Sequence, residues 1–212
     1  MNNTLLIVFV KNATVGKVKT RLAKTVGNTN ALYVYKALLR LTENVARSVN
    51  ADKHVYFSET IETETWNGFK KHIQHGTDLG QRMQNAFNVA FNQGYNRVVL
   101  IGSDLPDLEA NDVETAFNTL LTHKTVFGPA VDGGYYLIGL SSQLPCVFNN
   151  KPWSQPSLLK ETLQELQTNT ISYKLLRYLN DIDTFEDLIA SSFYKSNTNL
   201  QEKLNHPNDK IY

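Results

Sequence analysis

Apolar residues run unbroken through Leu5-Leu6-Ile7-Val8-Phe9-Val10. A short run of this kind, bounded by polar residues, is how a strand reads when helices cover both of its faces. Residues 4–10 are therefore predicted as a buried strand, and Arg97 to Gly102 as a second. Val126-Phe127 and residues 136–140 predict further strands, and residues 54–58 a weaker one. Between them the period changes. Ala31, Leu32, Tyr35, Leu38, Leu39, Thr42, Val45 and Ala46 recur every three or four positions, which predicts a helix over 30–48. Similar patterns predict helices over 80–93, stopped by Gly94, and over 111–122, 157–167 and 185–192. Strand and helix alternate along the chain, so the expected class is α/β, a three-layer α/β/α sandwich around a mostly parallel sheet.

No segment repeats at a fixed period, and no Gly-, Ser- or Pro-rich tract divides the chain. One domain is expected over 1–195, followed by a polar, peripheral tail at 196–212. Across 212 residues, 42% hydrophobic and 19% charged describe an ordinary globular composition, which excludes whole-chain disorder. The net charge of +1 excludes the broad basic surface of a dedicated nucleic-acid binder. The opening apolar run is far short of the ~20 residues a membrane span needs, and it lacks the flanks of a secretion signal. A lone Cys146 and five histidines without metal-helix spacing argue against zinc, and the expected location is the cytoplasm.

In open α/β sheets ligands bind beyond the carboxyl ends of the strands. Four loops there carry chemistry. The first places Lys11, Lys17, Lys19 and Arg21 around Gly16, ahead of a helix. Cations at that place suit phosphate, since arginine grips two oxygens at once and helix-start amides add partial positive charge. A Walker loop does not fit, because Lys11 and Val18 stand where glycine and Ser or Thr are required. The alternative is a solvated basic helix start. The second loop, Gly102-Ser103-Asp104-Leu105-Pro106, offers Asp104 as a ligand for a hard divalent cation, or as a turn or cap aspartate.

The third loop, Asp132-Gly133-Gly134-Tyr135-Tyr136, allows close backbone approach to a ligand or forms a tight hairpin, with the two tyrosines on opposite faces. In the fourth, Thr184 and Asp187 make a capping box, while Asp181 and Asp183 could reach one ion or belong to a polar loop. Two weaker features are Asp78 as a cap with Arg82 as a phosphate or sugar contact, and Trp153 on a lid or acceptor site or simply packed.

The strings Val18-Lys19-Thr20-Arg21-Leu22, Asp78-Leu79-Gly80-Gln81-Arg82-Met83, Gly102-Ser103-Asp104-Leu105-Pro106, Asp132-Gly133-Gly134-Tyr135-Tyr136-Leu137 and Asp181-Ile182-Asp183-Thr184 stand in the same order in the radical-SAM/selenodomain-associated transferase family. The chain resembles that family over about residues 4–190. The resemblance implies the Rossmann-like GT-A fold of the nucleotide-diphospho-sugar transferase superfamily. It further implies a metal-dependent transferase whose donor is a nucleoside triphosphate or a nucleotide-sugar and whose acceptor is a small molecule. Donor phosphates would lie near Lys11, Gly16, Lys17, Lys19, Arg21 and Arg82. Magnesium or manganese would sit on Asp104, with Asp183 or Asp181 as a late second contact. Asp132, Gly133, Gly134, Tyr135 and Trp153 would form the acceptor or base pocket.

In that reading Lys19, Arg21 and the metal on Asp104 would stabilise charge on the departing phosphates. The glycine-rich opening of related nucleotidyltransferases and the D-x-D of sugar transferases are both absent, and Ala13 replaces a usual proline. A non-catalytic nucleotide- or partner-binding protein that keeps the fold is the alternative.

Overall fold

A computed structural model describes residues 3–205. Its sheet comprises β1 (Thr4–Val10), β2 (Asp52–Phe57), β3 (Lys70–Ile73), β4 (Arg97–Ile101), β5 (Thr125–Pro129), β6 (Tyr135–Leu140) and β7 (Tyr173–Leu175). The spatial order is β3-β2-β1-β4-β6-β5-β7. β1 is parallel to β2 and β4, β2 to β3, and β5 to β7, whereas β6 runs antiparallel to both β4 and β5. The expected mostly parallel sheet is present, with one reversed strand set inside it.

The helices are α1 (Thr20–Val26), α2 (Asn28–Ser48), α3 (Leu79–Asn92), α4 (Ala110–Thr119), α5 (Leu158–Thr168), α6 (Phe185–Ala190), α7 (Ser192–Lys195) and α8 (Thr198–Asn205). Every residue of β1 is buried, because its side chains alternate between two cores. Leu5, Ile7 and Phe9 pack with Met83 and Phe87 of α3 and Leu159 and Leu166 of α5. Leu6, Val8 and Val10 pack with Ala46 of α2 and Val113, Ala116 and Phe117 of α4. This two-sided burial is the three-layer sandwich, and it explains why the strand carries no polar alternation.

A third cluster joins Leu22, Ala31, Val34 and Leu38 of α1 and α2 to Ile182, Leu188 and Leu200. The later part of the chain is thereby docked on the first two helices. Within the stretch expected as a peripheral tail, α8 buries Leu200 completely, while residues 206–212 lie outside the described residues. The helix expected over 185–192 is divided, since Ser191 is extended and its side chain caps α7 by accepting from the Tyr194 amide.

Asp78 caps α3, its carboxylate accepting from the Gln81 amide at 2.8 Å. Asp78→Ala is expected to lower stability by about 1 kcal/mol, read as a shifted denaturation midpoint with an unchanged slope.

Candidate active site

Parallel pairing of β1 with β4 brings the loops that leave them together at one edge of the sheet. The chain after β7 returns to the same edge. Its Leu179 exchanges backbone hydrogen bonds with Pro129 and Val131, and the Ile182 amide then donates to the Asp104 carbonyl at 3.1 Å. Ile182 itself is anchored in the third hydrophobic cluster. Asp104 and Asp183, far apart in sequence, are thus locked side by side.

Between them lies Lys19. Its Nζ is 2.9 Å from Asp104 Oδ2 and 3.2 Å from Asp183 Oδ1, and its side chain is only 3% exposed. Burial alone would lower the ammonium pKa, but the two carboxylates outweigh it and hold the pKa above its ordinary value. Arg21 reaches the second oxygen of Asp183 at 3.4 Å from an exposed position. Lys17 pairs with Glu59 at 3.0 Å, both largely exposed. Exposed pairs contribute only about 0.2–1 kcal/mol, so an incoming anion displaces them at little cost. The cations expected to serve together are therefore divided: Lys19 is enclosed between two carboxylates, whereas Lys11, Lys17 and Arg21 stand in exposed positions.

Lys19 also caps α1 in the left-handed conformation, at φ +48°. For a residue with a Cβ this costs roughly 1–2 kcal/mol, and the double ion pair offsets it. The loop before it is held by two residues that carry no sequence signal of function. Asn12 is buried; its Oδ1 accepts from the amides of Glu59 and Thr60, and its Nδ2 donates to the Thr60 carbonyl at 2.8 Å and to Glu62. The Tyr35 hydroxyl accepts from the Lys11 amide at 2.9 Å and donates to the Lys11 carbonyl. Tyr35 reads in sequence as one more apolar helix position. Burial, followed by the nearby charge of Asp104, raises the pKa of its phenol.

Two cavities adjoin at Asp104. One, of about 140 Å³, is lined by Lys11, Lys17, Lys19, Arg21, Tyr35 and Asp183 as well as Asp104. The other, of about 270 Å³, has apolar walls that include Phe9, Met83 and Ile138, with Tyr135 and Trp153, and carries the carboxylates of Asp132 and Asp181. Asp181 is pushed up to about 6, first by burial and then by repulsion from Asp183 and Asp132. Asp181 lines the larger cavity and Asp183 the smaller one.

The Asp-Gly-Gly loop is the β5–β6 hairpin connection as well as a cavity wall. Asp132 accepts from the Gly134 amide at 2.9 Å, and Gly133 takes φ +92° with its α-carbon against the Pro156 carbonyl, where a Cβ would lie 2.1 Å from the oxygen. Tyr135 and Tyr136 enter opposite cores. Trp153 lies across Gly80, where a Cβ would stand 2.5 Å from the indole ring. Thr184 and Asp187 form the expected capping box, and the hydrogen bonds it supplies keep the Asp187 carboxyl below its ordinary pKa despite burial. Gly16, at φ +76°, turns the first loop but lines neither cavity. Arg82 lines neither; its Nε donates to the Gly76 carbonyl at 3.1 Å.

Among the described residues no group of three His, Cys, Asp or Glu side chains is arranged to hold a metal ion. A hard divalent cation does not require one, since it takes one or two carboxylates and completes its shell with phosphate oxygens and water. Asp104 and Asp183 share one positive charge and retain about a third of their surface in water. That donor set fits a cation bound together with a phosphate ligand. No described helix is long and apolar enough to cross a membrane.

Residues 39–155 match the family described as "Uncharacterized protein conserved in bacteria (DUF2064)". The chain belongs to the DUF2064 family. This DUF2064 chain is also similar to a crystal structure from Desulfovibrio desulfuricans G20 named as a putative nucleotide-diphospho-sugar transferase. The two are 35% identical with a TM-score of 0.86, over 94% of this chain and 89% of that one.

Two more distant likenesses concern fold alone. The inositol-1-phosphate CTP transferase from T. maritima is 14% identical, with a TM-score of 0.52 over 95% of this chain and 96% of that one. Glucosyl-3-phosphoglycerate synthase from Mycobacterium tuberculosis, in complex with Mn2+, UDP and glucosyl-3-phosphoglycerate, is 13% identical, with a TM-score of 0.53 over 89% of this chain and 75% of that one. No curated protein matches the sequence. The GT-A, Rossmann-like fold expected for this DUF2064 chain is the one it adopts. The names of these relatives carry no radical-SAM association.

Proposed function

We propose that this chain is a transferase that takes its group from a nucleotide donor, either a nucleoside triphosphate or a nucleotide-sugar. The observation that carries the reading is the meeting of two unlike cavities at Asp104, one cationic and one apolar and acidic. A reaction that divides a donor between phosphate and transferred group needs such a junction.

Lys11, Lys17 and Arg21 bind the donor phosphates. Their exposed positions let them exchange surface partners for phosphate oxygens, and arginine grips two oxygens at once. Lys19 keeps Asp104 and Asp183 oriented. Magnesium or manganese, held by Asp104 and Asp183, would supply charge to the departing phosphates. The apolar walls of the second cavity lower the local dielectric, which strengthens charge interactions at its mouth. The 35%-identical relative named as a nucleotide-diphospho-sugar transferase supports this assignment, as do the more distant relatives named for CTP and UDP chemistry.

One observation favours a second reading, nucleotide binding without turnover: the Lys19 ammonium already neutralises the two carboxylates a metal would use. In that case nucleotide binds, yet no pyrophosphate or nucleoside diphosphate is released with any acceptor.

The experiment is a thermal-shift panel of nucleoside triphosphates and nucleotide-sugars with magnesium, manganese or chelator, on wild type and Asp104→Ala. A ligand at about a hundredfold its dissociation constant adds ~2.7 kcal/mol, a rise of roughly 5–10 °C for a chain of this size. In the wild type the rise is expected to need the metal. In Asp104→Ala, with its unliganded melting cooperative, the metal-dependent part is expected to vanish. Equal rises in both proteins, with and without metal, would remove Asp104 from the assignment.

A further inference from the structure

The larger cavity has a charge character of its own. Three carboxylates line it, from Asp104, Asp132 and Asp181, and no lysine or arginine does. The ammonium paired with Asp104, that of Lys19, lines the other cavity and is shared with Asp183. Ionised carboxylates only accept hydrogen bonds, so the groups that satisfy them are hydroxyls, amines or ammonium. A second anion there meets like charge in a partly apolar surround, where repulsion is far stronger than in bulk water.

The remaining wall is aromatic and aliphatic, with Tyr135 and Trp153 beside Phe9, Met83 and Ile138. Tyr135, one of the lining residues, has a buried hydroxyl without a hydrogen-bond partner. The wall is also tightly built. Trp153 lies on the bare backbone of Gly80, and the hairpin at Gly133 closes on Pro156. A volume of about 270 Å³ lies just below the ~300–1,000 Å³ of pockets for drug-sized ligands, which limits the occupant to about one ring.

Building on the transferase reading, we propose that this cavity receives a monosaccharide-sized group that carries hydroxyls or an amine and no negative charge. Transfer then involves a neutral or cationic sugar-like group, and a phosphorylated acceptor is rejected.

The test uses four hexoses of one shape, glucose, glucosamine, glucuronate and glucose 6-phosphate, with binding to the whole chain read by saturation-transfer NMR. Inorganic phosphate is present throughout to occupy the lysine-arginine cavity. Glucose and glucosamine are expected to bind at least about tenfold more tightly than the two anions. Trp153→Ala is expected to abolish their binding. Asp132→Lys should move the preference toward glucuronate, while Asp132→Asn, which keeps an acceptor for the Gly134 amide, controls for damage to the turn.

Anions that bind as well as the neutral sugar, or silence from all four, overturn the assignment. A separate titration with nucleoside diphosphates distinguishes the two readings. Diphosphates that fail to bind while the hexose order holds remove the transferase reading alone. Diphosphates that bind while the hexose order fails remove the cavity assignment alone.

Discussion

Lys19→Met is expected to lower stability and, at the same time, to make the protein more responsive to divalent cations. The side chain is almost wholly enclosed, and its loss leaves Asp104 and Asp183 facing one another without their shared charge. Removing one partner of a fully buried pair costs ~3–5 kcal/mol. Both carboxylates keep about a third of their surface in water, so about 2 kcal/mol is the appropriate scale here. That corresponds to a fall of roughly 4–8 °C in Tm.

The sign with pH follows from linkage. The folded-state pKa of Lys19 is raised, so its contribution is complete below the ordinary lysine value near 10.5 and is lost as pH rises through the folded value. At neutral pH the whole of it is therefore at stake. In the variant, magnesium or manganese without nucleotide is expected to restore part of the loss, because the cation fills the place of the ammonium. The wild type should gain little from metal alone. A variant that is destabilised yet indifferent to metal would mean that Asp104 and Asp183 are a structural pair and not a cation site.

Lys19 also marks where the sequence stops being legible. The central strands could be read directly, since runs such as Leu5 to Val10 are apolar on both faces and too short for a buried helix of ordinary length. β3 and β7 escaped because they are short edge strands, and Lys70-Lys71-His72 carries no apolar alternation. The reversal of β6 was present only as one of two readings of Asp132-Gly133-Gly134, as hairpin or as ligand loop; in the structure the hairpin connection also forms a cavity wall.

The candidate loops stood out for a different reason, the charge and glycine they gather at strand ends. Their internal division of labour did not. Four cations in one loop look alike in sequence. Which one is enclosed is decided by Ile182, whose amide binds the Asp104 carbonyl and whose side chain packs on α1 and α2, so that Asp183 closes over Lys19. Asn12 and Tyr35 support that loop through backbone contacts, and contacts of that kind leave no pattern along the chain.

A second large effect is expected at the β2–β3 edge. His54, on β2, is 1% exposed, and neither of its ring nitrogens has a hydrogen-bond partner. Around it stand His72 at 4.8 Å between ring centroids and Tyr95 at 6.1 Å, with Tyr56 stacked on His72. The charged groups facing it are Lys70 on β3 and Asp52 on β2, and Asp52 accepts from the Tyr95 hydroxyl at 2.7 Å. Burial, followed by His72 and Lys70, pulls His54 down to about 4. His72 is likewise lowered.

Between pH ~6.5 and ~4 the unfolded chain thus binds a proton at His54 that the folded chain refuses. The contribution of this group to stability is complete above about 6.5 and is lost as pH falls toward 4, amounting to about 3 kcal/mol. Carboxylates titrate in the same window, so the informative quantity is the difference between wild type and His54→Phe, which keeps a ring of similar shape and removes the titration. Denaturation at pH 7.5 and at pH 4.5 is expected to show a much smaller acid loss in the variant, and equal acid losses would assign the sensitivity to the carboxylates instead.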